Sequence, residues 1–354
     1  VKMKRPIVLA LFLFLFLLNG CEWKVEVAQN HTTFDYSKLS AEHIKQLNKV
    51  DLNIQKDKDA YSFLYFKDQQ LILESYYNGI KRSDENNIKS MTKVVMTTLI
   101  GIAIEEGHIE SVDQAITDFF PEYPFQDEKQ EITIKHLLTM TDGLSIEENS
   151  PEMMELFESS PNWIEDILHL PLAHTPGEKY NYSSASTHLL SAIITKSTGM
   201  NAMEYGNLKL FGPLGFTVTQ WNEDPQGNNM GGSQLYLTPL QLLKIGQLYL
   251  NVGKWDGQSI VSEEWIMEAT SRQSDGQNRG LNSASYGYGW WILNTMDDYA
   301  ETNIYVATGY GEQYMIIDPD TGSMLILTRN SDVQPEQLVS HFDEVMELVR
   351  FEGN

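Results

Sequence analysis

The stretch IKSMTKVVMTTLIGIAIEEGHI, residues 88–109, constrains the fold more than any other part of this chain. From Val94 to Ile104 eleven consecutive residues carry no charge and, wound as a helix, are apolar almost all round. A surface helix keeps a polar face; one without it has to be enclosed on every side. The chain of 354 residues, 42% hydrophobic and 21% charged, is long enough to supply that enclosure.

The enclosing elements can be read at both ends. AYSFLYF (60–66) and LILESYY (71–77) are β-rich runs around Lys67-Asp68-Gln69-Gln70, which predicts a hairpin. Near the other end YGYGWWIL (286–293), NIYVATGY (303–310), EQYMIIDP (312–319) and SMLILTR (323–329) have strand length and pattern, with Asp320-Thr321-Gly322 as a turn. Helices are expected over 40–53, with Ile44, Leu47 and Val50 inward, and over 336–351, with Leu338, Phe342, Val345 and Leu348 on one face.

Between the strands the texture is helical: TIKHLLTMTDGL (133–144), NWIEDILHLPL (162–172), SSASTHLLSAIITKSTG closed by Gly199, and LTPLQLLKIGQLYLNVG with Pro239 in its first turn. No βαβ unit with a glycine fingerprint is present. The expected class is α+β, an antiparallel β-sheet flanked by helices with an all-helical insertion. One domain is expected over 41–354, with the helical part about 108–230.

Ser90 and Lys93 stand at the head of the apolar run. Ser-x-x-Lys at a helix start puts both side chains on one face, a turn apart. A serine hydroxyl needs a base to become a nucleophile, and lysine serves as one where desolvation disfavours its charged form. The free N–H groups of the first turn also face any oxyanion formed on Ser90. As a plain alternative, Ser90 is a helix cap and Lys93 reaches out to water. Tyr182-Ser183-Ser184 opens another helix directly after Pro176-Gly177, where a phenol can pass protons. Ala307-Thr308-Gly309-Tyr310 lies on a late strand, and a glycine there lets a substrate lie along the strand edge. The eight histidines form no close pair, so no metal or other cofactor is signalled, and His136 and His188 read as helix residues with satisfied partners. Met230 to Leu235 are candidates for the wall of a cleft, and one of Trp290 and Trp291 is expected in the core, the other at the cleft.

Ser-x-x-Lys, Tyr-x-Ser and x-Thr-Gly in this order resemble the β-lactamase-related serine hydrolase family. That family includes class C β-lactamases, D-alanyl-D-alanine carboxypeptidases, and esterases and amidases such as 6-aminohexanoate-dimer hydrolase. The resemblance extends from about residue 60 to the C-terminus through ITIKHLLTMTDGL, PGEKYNYSSASTHLLSAII, the segment from MGGSQLYLTPLQLLKIG to VSEEW, and ATGYGEQY. It implies Ser90 as nucleophile, Lys93 as base and Tyr182 as proton relay to the leaving group. It further implies the Ser90 and Tyr310 amides as oxyanion hole, with Ser184, Thr308, Gly309 and Trp291 at the substrate. Two departures bear on substrate. Ala307 stands where β-lactamases have lysine and carboxypeptidases lysine or histidine, a position that helps hold a substrate carboxylate. Glu312 stands where the esterase branch has glycine. An ester or small amide is therefore the expected substrate, ahead of cell-wall-type substrates; a non-catalytic binding protein is the rival of a different class.

Net charge is −24, and residues 1–20 hold three cations (Lys2, Lys4, Arg5) and no acid. So acidic a body repels phosphate backbones, and nucleic-acid partners are not expected. The basic start precedes twelve apolar residues, Ile7 to Leu18, too few to span a bilayer that needs about twenty. The run ends in Leu18-Asn19-Gly20-Cys21, which resembles a bacterial lipoprotein signal. That resemblance implies a signal over 1–20, lipidation of Cys21, a polar tether over 21–40 and residence in the cell envelope. An ordinary cleaved signal or an uncleaved anchor is the alternative. Cys21 is the only cysteine, so no internal disulfide forms.

Overall fold

The computed structural model describes residues 31–350 except 35, 38, 126, 277–283, 297–299, 301 and 334–338. Cys21, the predicted signal and the first part of the predicted tether lie outside the described residues. Among the described residues no helix is long and apolar enough to cross a membrane.

The chain begins with β1 (His31–Phe34), α1 (Ala41–Ile54), β2 (Ala60–Lys67), β3 (Gln70–Tyr76) and the two-residue β4 (Asn86–Asn87). Next come α2 (Thr92–Glu105), α3 (Ile134–Leu138), α4 (Pro151–Ser159), α5 (Trp163–His169), α6 (Ser184–Thr198) and α7 (Ala202–Gly206). β5 (Tyr236–Leu237), α8 (Pro239–Leu250), a small hairpin β6 (Lys254–Trp255) and β7 (Gln258–Ser259), and α9 (Glu263–Ala269) follow. The chain closes with β8 (Ser285–Tyr286), β9 (Trp291–Ile292), β10 (Tyr305–Gly309), β11 (Gln313–Asp318), β12 (Ser323–Arg329) and α10 (Phe342–Val349).

Eight strands make one sheet in the order β1-β3-β2-β12-β11-β10-β9-β8, with every pairing antiparallel. The two ends of the chain meet at its centre, where β2 pairs with β12. Period-two alternation sends the strands' side chains to two cores. Leu64, Phe66, Met315, Ile317, Met324 and Ile326 face the core shared with α2, α6 and α8. Phe63, Tyr65, Ile316, Leu325 and Leu327 face the one covered by α1 and α10. The helical layer between β3 and β8 is the expected helical insertion of an α+β fold.

The expected hairpin turns at Asp68 and Gln69, both at positive φ, 49° and 64°, as a two-residue turn matched to strand twist requires. Three expectations are corrected. Residues 31–34, placed in the tether, pair with β3 as an edge strand. Residues 286–293, read as one strand, fold back on themselves: Gly287 N donates to Trp290 O at 2.8 Å, and β8 pairs with β9. The closing helix begins at Phe342, residues 339–341 being non-helical, and 336–338 and 351 of its expected span lie outside the described residues.

His43 on α1 is only 2% exposed, with its Nε2 3.1 Å from the Tyr65 hydroxyl. Burial first, and the Lys67 charge second, push its pKa from 6.5 down to about 4. The unfolded chain therefore takes up this proton before the folded one does. The stability contributed by the neutral ring is complete above pH 6.5 and is lost as the pH falls toward 4. The loss over that window is roughly 3 kcal/mol. His43→Phe should flatten the slope of unfolding free energy against pH in that window, measured by urea titration. A slope identical to the parent's would assign the acid sensitivity elsewhere.

Candidate active site

Ser90 lies in a 3-10 turn, Lys89–Met91, and the α-helix proper starts at Thr92. The predicted enclosure of α2 is complete, since every residue from Thr92 to Ala103 is buried. Lys89 takes a left-handed φ of 49°, held by its amide donating to Asn87 Oδ1 at 2.9 Å. Such strain in a non-glycine residue persists only where the surroundings enforce it, and it sits next to Ser90. Lys93 is 1% exposed. Its Nζ lies 3.2 Å from Ser90 Oγ, 3.0 Å from Ser184 Oγ and 3.1 Å from the Gly232 carbonyl oxygen.

Ser184 opens α6 behind the N-cap Ser183, whose Oγ accepts from the Ala185 amide. The carboxylate of Glu148 grips Ser184 twice: the Ser184 amide donates to Oε2 and its hydroxyl to Oε1, both at 2.7 Å. Gly231 and Gly232 pass so close to α6 that a Cβ on Gly231 would lie 1.9 Å from the Thr187 carbonyl oxygen, and one on Gly232 2.7 Å from Ser184 Oγ. Only glycine lets the 232 carbonyl reach Lys93.

Tyr182 stands beside Lys93, its ring centroid 4.7 Å from Nζ. The ring stacks on Trp291 at 5.8 Å and 21° and meets Tyr286 edge-on at 6.1 Å. Among the described residues the Tyr182 hydroxyl has no hydrogen-bond partner. Trp291, expected at the cleft wall, is instead 5% exposed. It packs into the cluster of Tyr180, Tyr182 and Tyr286, and its Nε1 donates to Thr308 Oγ1 at 3.2 Å. Trp290 is in the core.

β10 brings Gly309 against the serine turn, where a Cβ would sit 2.6 Å from the Ile88 carbonyl oxygen. Gln313, fully buried, ties the two together by donating from Nε2 to the Asn87 carbonyl at 3.0 Å and to the Tyr310 carbonyl at 3.2 Å. Among the described residues, neither the Ser90 amide nor the Tyr310 amide has a hydrogen-bond partner. Glu312 takes φ 62°, a left-handed conformation suited to glycine.

These elements surround a cavity of ≈ 340 Å³. Ser90, Ser184 and Tyr310 line it, as do Met230 to Gln234; Leu235 is buried in the core instead. Tyr182, Trp291, Thr308 and Gly309 are not among the residues that line it. Met153, Met154, Phe157 and Met230 give it an apolar side, and Lys89, Glu148 and Glu158 its charges. His188 lies at its wall and has partners, with Nε2 2.9 Å from Asp224 Oδ2 and Nδ1 accepting from the Gly231 amide at 3.4 Å. His136 caps α3, accepting the Thr133 amide on Nδ1 at 3.1 Å. Among the described residues no group of three or more His, Cys, Asp or Glu could hold a metal ion. Reading the sequence missed Glu148 and Gln313, and it placed Gly232 at the cleft wall without its carbonyl contact to Lys93.

Residues 61–349 match the family model described as Beta-lactamase. The chain belongs to the beta-lactamase family. The match spans most of the chain, in a family of hydrolases, and takes in Ser90, Lys93, Ser184 and Tyr310 together. Within it, the chain is 23% identical to 6-aminohexanoate-dimer hydrolase of Paenarthrobacter ureafaciens over 287 residues, 75% of this chain and 71% of that protein. A penicillin-binding protein homologue from Caulobacter crescentus has a similar structure, with a TM-score of 0.68 at 17% identity, covering 91% of this chain and 98% of the other. EstCE1, a hydrolase with promiscuous acyltransferase activity, superimposes with a TM-score of 0.71 at 15% identity, covering 88% of this chain and 100% of the other. These likenesses show the beta-lactamase and penicillin-binding-protein fold.

Proposed function

We propose that this beta-lactamase family member is a serine hydrolase that cleaves an ester or small amide through an acyl-enzyme on Ser90. The observation that carries it is the buried Lys93 Nζ 3.2 Å from Ser90 Oγ. As a neutral amine Lys93 takes the Ser90 proton while Oγ bonds to the substrate carbonyl carbon. The negative charge that develops on the carbonyl oxygen is met by the Ser90 and Tyr310 amides, both without other partners among the described residues. When the tetrahedral intermediate collapses, the bond to the leaving group breaks and that group needs a proton. The free Tyr182 hydroxyl delivers it from Lys93. Water then attacks the acyl-enzyme as Lys93 takes its proton, and Lys93 returns that proton to Ser90 Oγ when the acyl bond breaks.

The cavity's charges support the substrate class. Ala307 offers no cation and is 1% exposed, and Glu148 and Glu158 repel a carboxylate. Lys89, half-buried, is the cation in the cavity lining, and its Nζ lies 3.9 Å from Asp332 Oδ1. An uncharged, partly apolar substrate fits this wall. We further propose that the protein is exported and held at the bacterial envelope by lipid on Cys21, with no nucleic-acid partner.

A panel of short-chain p-nitrophenyl esters, anilides and nitrocefin tests the substrate class. Esters should turn over readily and nitrocefin poorly. Nitrocefin hydrolysis at a comparable rate would favour a lactamase or carboxypeptidase, and silence throughout would favour a binding protein. Tyr182→Phe should cut anilide turnover by about 10²-fold or more, the low end for general acid catalysis. It should spare p-nitrophenyl esters, whose leaving group departs without a proton. Equal losses on both substrates would remove Tyr182 from the relay.

A further inference from the structure

We infer that Glu148 is a positioning residue that fixes which way the Ser184 hydroxyl points and thereby aims the lone pair of Lys93 at Ser90. The inference rests on the acyl-enzyme reading and deepens it. A neutral lysine amine has two N–H donors and one lone pair, and three oxygens surround this one. The Gly232 carbonyl, 3.1 Å away, can only accept, so it takes one N–H. Ser90 and Ser184 are hydroxyls that could each donate or accept, and with nothing else present either could occupy the lone pair. If Ser184 donated to Lys93, the base would be spent on the wrong serine.

Glu148 removes that ambiguity. An ionised carboxylate only accepts, and here both oxygens are used on one residue, Oε2 by the Ser184 amide and Oε1 by its hydroxyl. With its proton directed to Glu148, Ser184 must accept from Lys93 at 3.0 Å. Both N–H groups are then committed, and the lone pair is left for Ser90. This arrangement also keeps Ser184 out of proton transfer, which leaves the unpartnered Tyr182 hydroxyl for the leaving group. Glu148 reaches the reaction only through Ser184 and Lys93.

Glu148→Gln tests this, because an amide in place of the carboxylate presents a donor to one of the two Ser184 groups. With its NH₂ toward Ser184 Oγ, the hydroxyl turns and donates to Lys93. The acylation rate, read with a fluorophosphonate and in single ester turnovers, should fall about 10- to 100-fold with KM changed less than about threefold. Ser184→Ala should recover part of the loss in the Glu148→Gln background, since the hydroxyl that occupied the lone pair is gone. Independent, additive losses, or a raised KM at unchanged kcat (a substrate contact), would overturn the inference. Neutron diffraction on the unaltered protein reads the same point without reference to turnover or to the variant's folding. The Ser184 deuteron should lie toward Glu148, and a deuteron toward Lys93 would overturn it. Absence of fluorophosphonate labelling in the unaltered protein would instead count against the acyl-enzyme reading, and the deuteron position would still decide the role of Glu148.

Discussion

Ser90→Ala should abolish fluorophosphonate labelling and lower ester turnover by about 10⁴- to 10⁶-fold, the range for loss of a nucleophile. The structure makes this a clean experiment. Ser90 is partly exposed, and its hydroxyl contacts Lys93, which keeps Ser184 and the Gly232 carbonyl as partners. Stability should therefore stay within about 0.5 kcal/mol of the parent. Intact-mass measurement of the labelled protein is the readout. An adduct that persists in the alanine variant would place the nucleophile elsewhere, and the roles assigned to Lys93, Tyr182 and the two amides would fall with it.

Asp57→Ala should have the largest effect on stability. Arg329, at the end of β12, is fully buried, and its Nη2 meets Asp57 Oδ2 at 2.6 Å. Its Nη1 donates to the Gly311 carbonyl at 2.9 Å, and Nε has no partner among the described residues. Asp57 also accepts the Asp59 amide at 3.0 Å and meets His341 Nε2 at 3.2 Å. Removing the carboxylate leaves a guanidinium enclosed without a counter-charge, which costs about 3–5 kcal/mol. Urea unfolding should show a lower midpoint with an unchanged slope. Asp57→Ala combined with Arg329→Met should recover much of the loss, because an apolar chain of similar length needs no counter-charge. A double variant as weak as the single one would refute the account. Gly311 adjoins Tyr310, so the single variant should also lose some activity.

What the sequence made legible follows from contact range. The Ser90–Lys93 pair is three residues apart on one helix, and local periodicity brings the two together. The central strands read as near-continuous apolar runs because each faces a core on both sides. Residues 286–293 misled because Trp290 and Trp291 look like strand interior, while the hairpin is set by distant close approaches: a Cβ at Gly287 would lie 2.1 Å from the Ala269 carbonyl, and Gly289 packs on the Lys93 backbone. Glu148 was hidden for a similar reason. It stands in a polar loop without period, 36 positions from Ser184, and Gly232 meets Lys93 across 139. Trp291 was placed at the cleft by resemblance, whereas three aromatic rings and a threonine hydroxyl draw it inward.

Ala307 bears on how readily this site could change its diet. Its methyl group is sealed between sheet and helices in the core that holds Tyr305 and Met315. A lysine installed there would have to press its stem and charge among those side chains, so a substitution at this one position should cost stability unless its neighbours were made smaller as well.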